Sequence, residues 1–300
     1  MGEIWGVLAA VLSSGLGGTA IGATRYVIGA SDALTIGAFR FGIGFAFLLP
    51  LALRQRARWP ARADWPAVIA LGLLFFGLFP ILFNASLLFT TAARGALALS
   101  TLPLLTMAVG AGLKVEPLTG RKTAGVLIAM AGVAVALLSG LATAPVGAWR
   151  GDLLMVGAAL CMALYNVWSK PFIRRSGPLH FTTMGMGVGA LCLAVVSAIR
   201  GGFAAVGAFD GAQWLAIAYL GIFGAAIIFF LWAYALERTT PTRVAISVAV
   251  NPVTASLVGA VLLAEPIAWN LIVGLVTVLG GITLATTTGR RCVDPLPAAD

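Results

Sequence analysis

The feature that most constrains this chain is a stretch that occurs twice. Arg94 to Pro117 reads R-G-A-L-A-L-S-T-L-P-L-L-T-M-A-V-G-A-G-L-K-V-E-P, and Arg243 to Pro266 reads R-V-A-I-S-V-A-V-N-P-V-T-A-S-L-V-G-A-V-L-L-A-E-P. Arg94 aligns with Arg243, Pro103 with Pro252, and Glu116–Pro117 with Glu265–Pro266, always at the offset 252 − 103 = 149 and without a gap. Each copy is apolar over a bilayer's depth and carries a proline near its middle. Proline lacks the backbone donor and clashes with the carbonyl one turn earlier, so both helices are expected to bend. Pro103 would free the carbonyl of Leu99, and Pro252 that of Val248.

The offset runs well beyond this stretch. It superposes Trp65 on Trp214, Gly72 on Gly221, Thr90–Thr91 on Thr239–Thr240, Gly125 on Gly274 and Gly132 on Gly281. It also pairs Gly2 with Gly151, Glu3 with Asp152, and Arg25 with Arg174. Membrane helices tolerate single prolines. Two in register, in two halves of one chain, point instead to an interface between repeats, where membrane carriers place their binding sites.

Apolar residues make up 60% of the chain and charged residues 10%, against about 25% charged in a soluble domain. The class is therefore a polytopic membrane protein. Spans of about 20 apolar residues fall near 4–24, 33–53, 66–89, 95–113, 123–141, 152–169, 181–199, 213–236, 244–263 and 270–288. The first begins without a basic leader and reads as a retained helix rather than a cleaved signal.

The net charge of +9 does not mark a nucleic-acid binder, because the basic residues lie in alternate loops. Arg54, Arg56, Arg58, Arg62, Lys114, Arg121, Lys122, Lys170, Arg174, Arg175, Arg238, Arg243, Arg290 and Arg291 fall on the side of both termini. Only Arg25, Arg94, Arg150 and Arg200 fall on the other, and Arg40 lies inside the second span. Positive loops stay inside, so both termini are expected to be cytoplasmic, in a bacterial inner membrane. Five spans per half is an odd number, so the second half enters the membrane from the opposite face. The expected fold is all-α: ten transmembrane helices as two inverted five-helix repeats, 1–145 and 150–290, with 291–300 a disordered cytoplasmic tail. Helices 5 and 10, rich in small residues, read as a brace between the repeats or as a dimer face.

Ten spans in two inverted fives, with L-P and N-P in helices 4 and 9 and an E-P pair at the end of each, resemble the drug/metabolite transporter superfamily. Within it the chain resembles the EamA-type members, and most of all the YddG amino-acid exporters. The resemblance covers residues 3–288. It implies a central cavity surrounded by helices 1, 3, 4, 6, 8 and 9, and alternating access to that cavity.

Candidate cavity residues follow from polar or aromatic groups within those spans. Helix 1 offers Ser13, Ser14 and Gly17; serine often only bonds its own helix. Helix 3 offers Phe79, Phe83 and Asn84, and helix 8 offers Phe229 and Trp232, although aromatics at helical spacing are more often packing. Helix 4 gives Ser100, Pro103 and Met107. Helix 6 gives Met162, Tyr165, Asn166 and Trp168, the last beside Lys170 where an interfacial anchor is expected. In helix 9, Ser247, Asn251 and Thr254 share a face, with Pro252 between the last two. Asn251 could bond a ligand or the freed carbonyl. Glu116 and Glu265 read as gate or helix-end groups, and Arg40 as a structural residue that snorkels.

These residues suit a small ligand with an apolar or aromatic side chain and polar ends. The expected activity is export of amino acids and related metabolites. With no carboxylate at mid-membrane, transport is expected to be uncoupled. A proton-coupled exporter of hydrophobic drugs or cations would want a cavity carboxylate. An enzyme would need a catalytic polar set, which one histidine and no carboxylate cluster do not provide. Cys161, Cys192 and Cys292 have neither disulfide nor metal spacing. No metal or other cofactor is expected. The expected partners are a small-molecule substrate and the lipid bilayer, not nucleic acid, for a monomer or weak homodimer.

Overall fold

A backbone amide inside a bilayer finds no water, so long apolar runs satisfy their hydrogen bonds by coiling. Every regular element among the described residues is accordingly helical. The computed structural model describes residues 2–27, 31–55, 59–86, 88–90, 92–136, 146–251, 253–254 and 269–286. Its helices are α1 (Gly2–Val27), α2 (Ala33–Arg54), α3 (Arg62–Ser86), α4 (Ala92–Leu99), α5 (Leu102–Gly112) and α6 (Gly120–Ala136). They continue with α7 (Ala148–Trp168), α8 (Lys170–Ser176), α9 (Pro178–Ile199), α10 (Gly211–Arg238), α11 (Pro241–Ile246) and α12 (Trp269–Thr286).

Five of these, α2, α3, α7, α9 and α10, are long and apolar enough to cross a membrane, and shorter apolar helices run over Leu97–Gly112, Pro241–Val250 and Ile272–Ala285. Local chemistry starts them where the sequence changes character. Asp32 caps α2 by accepting from Leu34 N and Thr35 N, and Asp210 with Gln213 forms a reciprocal capping box at α10, which satisfies donors a helix start leaves free.

The first proline bend is present. α4 ends at Leu99, the chain turns through Ser100–Thr101, and α5 resumes with Pro103 in its first turn. Both turn hydroxyls donate backwards, Ser100 Oγ to Leu97 O and Thr101 Oγ1 to Ala98 O. In the second copy the chain tightens to a 3-10 helix over Ser247–Val250; Pro252 itself lies outside the described residues.

A second pair of irregularities was not legible in the sequence. α3 widens to a π-helix over Leu73–Leu78 and α10 over Ile222–Ile227. The two segments are related by 222 − 73 = 149, the offset of the repeat. A π turn leaves the α-helical hydrogen-bond ladder and frees a carbonyl for another partner.

The small-residue helices form the brace. α6 and α12 lie antiparallel with their backbones touching: a Cβ on Gly125 would stand 2.7 Å from Gly281 O, and one on Gly132 2.9 Å from Gly274 O. The offset turns the first of these contacts into the second, since Gly125 becomes Gly274 and Gly281 becomes Gly132. A contact set that maps onto itself places a local twofold axis between the two helices, across their length.

Gly281→Val puts a Cβ within 2.6 Å of Ala129 N and Gly125 O, whereas a Cβ on the neighbouring Gly280 meets nothing within 4 Å. Overpacking of this kind costs about 1–3 kcal/mol. Thermal unfolding of the purified protein is expected to show a clearly lowered midpoint for Gly281→Val and an unchanged one for Gly280→Val. Equal midpoints would contradict the brace.

Candidate functional site

The two halves are tied together at the end of the bundle where α1 begins. Glu3 at the start of α1 pairs with Arg243 in α11. Asp64, at the start of α3, pairs with Arg175 of α8 at 2.8 Å. A third tie is made by Glu116, only 5% exposed just beyond α5. Its Oε1 accepts from Lys122 Nζ at 2.6 Å, and its Oε2 from Thr242 N at 3.2 Å and Thr242 Oγ1 at 3.0 Å. Thr242 N is one of the donors that the first turn of α11 cannot satisfy internally, so Glu116 caps a helix of the other half. Thr242 is a partner of Glu116 that the sequence did not reveal. Glu265 lies outside the described residues.

Lys170, where α7 passes into α8, donates from Nζ to Thr239 O at 2.5 Å. Burial, followed by the repulsion of Arg174, pulls its ammonium down to about 8, with an upward pull from Glu116 and a weaker downward push from Lys122.

Further along α1, candidate polar residues meet. Ser14 Oγ and Ser247 Oγ are 2.8 Å apart, and Ser247 Oγ also donates to Val244 O. Ser13 Oγ donates to Ile228 O of α10, so it bonds across helices rather than to its own. One turn on, a Cβ on Gly17 would lie 3.2 Å from both Asn251 Nδ2 and Asn251 Oδ1. Thr254 turns inward on its own chain, donating to Val250 O and Asn251 O.

Asn166 and Trp232 form a second polar centre. Trp232 Nε1 donates to Asn166 Oδ1 at 2.9 Å, which fixes the amide and leaves Nδ2 as its outward donor. That Nδ2 and the Oδ1 of Asn251 are buried and without a partner in the described structure. An orphaned buried donor or acceptor costs about 1–3 kcal/mol and marks a place where a ligand or water belongs.

Most of the aromatic candidates pack on one another and on Phe75 and Phe76. Tyr165 stacks on Phe75 with centroids 4.0 Å apart, and Phe229 stands edge-on to Phe75 and Phe76 at 5.2 and 5.1 Å. Phe79 leans on Phe75, and Phe83 on Phe79. Met162 and Pro103 are buried, and Asn84 is half-buried on α3. Met107 sits apart from this group, its sulfur 3.6 Å from Thr123 Oγ1. Trp168 is 45% exposed, as an interfacial anchor would be. Clefts of about 440 and 360 Å³ open elsewhere, beside Trp149–Arg150 and beside Arg54–Phe230, and include none of the candidates.

Arg40 has a different place from the one its neighbours in sequence implied. Its Nε and Nη2 both donate to Gly224 O, at 3.2 and 2.5 Å, a carbonyl inside the π segment of α10. An arginine at a helix centre costs about 2.5–3.5 kcal/mol to insert, so a partner in the protein is expected.

The model of the EamA-like transporter family matches twice, over residues 2–138 and 149–287. The chain belongs to the EamA-like transporter family. It is a multi-pass membrane protein of two repeats, and a transporter rather than an enzyme. It is 24% identical over 275 residues to "Uncharacterized transporter YyaM" of Bacillus subtilis, covering 90% of this chain and 89% of the relative. It is 32% identical over 257 residues to an uncharacterized protein of Pseudomonas aeruginosa, covering 85% and 84%. It is 27% identical over 246 residues to a Streptantibioticus cattleyicolor protein named "Probable terminal-alkyne amino-acid exporter", covering 81% and 79%. A crystal structure at 24% identity superposes with a TM-score of 0.76, covering 97% of this chain and 98% of the other, and shows the same fold.

Lys170 gives this site a pH signature. Its folded ammonium titrates near 8 against an ordinary value of 10.5. Between these values the unfolded chain holds a proton that the folded chain has released, so stability rises with pH across this window. The difference in melting temperature, wild type minus Lys170→Met, is expected to rise between pH 8 and 10. A flat difference would contradict the burial of Lys170.

Proposed function

We propose that this EamA-family transporter exports amino acids with aromatic or other apolar side chains, and related small metabolites, from the cytoplasm. In this reading ten spans form two inverted halves, 1–145 and 150–290, in a bacterial inner membrane with both termini cytoplasmic. The observation that carries the substrate reading is two orphaned amide atoms, one on the Asn166 that Trp232 holds and one on the Asn251 that faces Gly17. Asn166 Nδ2 offers a donor and Asn251 Oδ1 an acceptor, and the polar ends of an amino acid need both. The name of the Streptantibioticus relative supports the same class of cargo.

The ties Glu3–Arg243, Glu116–Thr242 and Asp64–Arg175 each join one half to the other at the end where α1 begins. In this reading they hold the carrier shut on its cytoplasmic side, and opening there requires all three to part. The described carboxylates, Glu3, Asp32, Asp64, Glu116, Asp152, Asp210 and Glu237, all stand near helix ends. That distribution favours facilitated, uncoupled transport over proton coupling.

Uptake of labelled amino acids into proteoliposomes tests this directly. Uptake is expected to equilibrate without a pH gradient and to be competed by unlabelled aromatic or aliphatic amino acids. Asn166→Ala and Asn251→Ala are each expected to slow it about tenfold, the loss of one buried hydrogen bond to a charged ligand. Uptake that needs the gradient would overturn the uncoupled mechanism. No amino-acid uptake under either condition would overturn the substrate.

A further inference from the structure

Arg40 is bonded too sparingly for a staple. Its Nε and Nη2 share one acceptor, Gly224 O, its ring contact is with Phe41, and among the described residues it has no carboxylate partner and no acceptor at Nη1. Satisfying one carbonyl does not need a permanent charge: Ser13 does the same for Ile228 O with a hydroxyl. A guanidinium held in a membrane span with donors to spare is a receptor for an anion.

The repeat supplies an internal control. By the 149-residue offset Arg40 corresponds to Gly189, and Gly224 to Phe75. At Gly189, on α9 against the π segment of α3, even a Cβ would stand 2.2 Å from Phe76 Cβ. The equivalent junction in the other half therefore admits no side chain at all, while the junction of α2 with the π segment of α10 admits the longest cation. Packing alone does not call for that difference.

A chain of contacts leads from Arg40 along α1 to the candidate site. A Cβ on Gly224 would meet both Arg40 Nη2, at 3.7 Å, and Ala20 Cβ of α1, at 3.4 Å. Thr19, the residue before Ala20, bonds Tyr219 of α10 through their hydroxyls at 2.6 Å. One turn back along α1, Gly17 faces Asn251 and its orphaned Oδ1.

We propose that Arg40 is an anion-recognition residue within the membrane, receiving the carboxylate of the transported solute while the π carbonyl of Gly224 holds its guanidinium in place. As a statement about cargo this rests on the amino-acid reading above. The carboxylate accepts from the guanidinium edge that Gly224 leaves free, and Asn251 Oδ1 is the acceptor for the ammonium of the same molecule.

Matched ligand pairs test it on the purified full-length protein. Thermal stabilisation is measured with phenylalanine against phenylalaninamide, and with 3-phenylpropanoate against 3-phenylpropylamine, for wild type, Arg40→Gln and Arg40→Lys. Wild type is expected to prefer the carboxylate of each responding pair at least about tenfold, a preference worth one charge-assisted hydrogen bond. Arg40→Gln is expected to lose that preference and Arg40→Lys to keep part of it. Indifference of wild type to the carboxylate, or no response of wild type to either carboxylate, overturns the proposal even if Arg40→Gln does not fold. So does a tenfold preference that survives in Arg40→Gln; amino-acid cargo would then stand with its carboxylate bound elsewhere. A response to 3-phenylpropanoate without one to phenylalanine would uphold Arg40 and overturn the amino-acid reading instead.

Discussion

Within a bilayer, a carbonyl that leaves the helical ladder must find a donor in the protein, and this fold is built on meeting that demand between helices. Ile228 O takes Ser13, Gly224 O takes Arg40, Thr239 O takes Lys170, and Ala52 O pairs with His180 Nε2. Arg121 reaches Leu284 O and Asn270 reaches Val135 O across the brace of α6 and α12. Polar and basic side chains in this apolar chain are thus spent mainly on backbone, and each bond of this kind joins two elements that apolar contact alone would leave free to slide.

The same demand explains why the two halves are alike in backbone and unlike in chemistry. The π segments, the tightened turns near Pro103 and Asn251, and the glycine contacts of the brace obey one offset. The side chains that answer those irregularities do not. Arg40 faces the π segment of α10 where Gly189 faces that of α3, and Asn251 stands where the first half has Leu102. The repeats thus share a backbone pattern, while the side chains that meet it differ from one half to the other.

Much of the architecture was legible in the sequence because hydropathy and proline act locally. The spans expected at 33–53, 152–169 and 181–199 became Ala33–Arg54, Ala148–Trp168 and Pro178–Ile199, and the brace followed from small residues at helical spacing. The π segments were hidden because L-L-F-F-G-L and I-F-G-A-A-I read as ordinary apolar helix; their only trace is the shared offset, which requires knowing what to align. Arg40 reads as a snorkelling residue for the same reason, since its partner is a carbonyl in the π segment of another helix. Thr242 as the partner of Glu116, and Phe75 as the platform for Tyr165, depend on tertiary approach. Periodicity marks which face a residue occupies, not what will meet it.

Transport as proposed requires the two halves to part at the end where α1 begins. A short bis-maleimide linking Glu3→Cys to Arg243→Cys, in a chain whose Cys161, Cys192 and Cys292 are replaced by serine, fixes that end in the observed contact. Solute flux through reconstituted protein, before and after cross-linking, is the most direct measurement. Transport lost on cross-linking, and retained when the reagent meets either single cysteine variant, is the predicted result. Undiminished flux through the linked protein would contradict it, because the solute would then pass without the two repeats separating there.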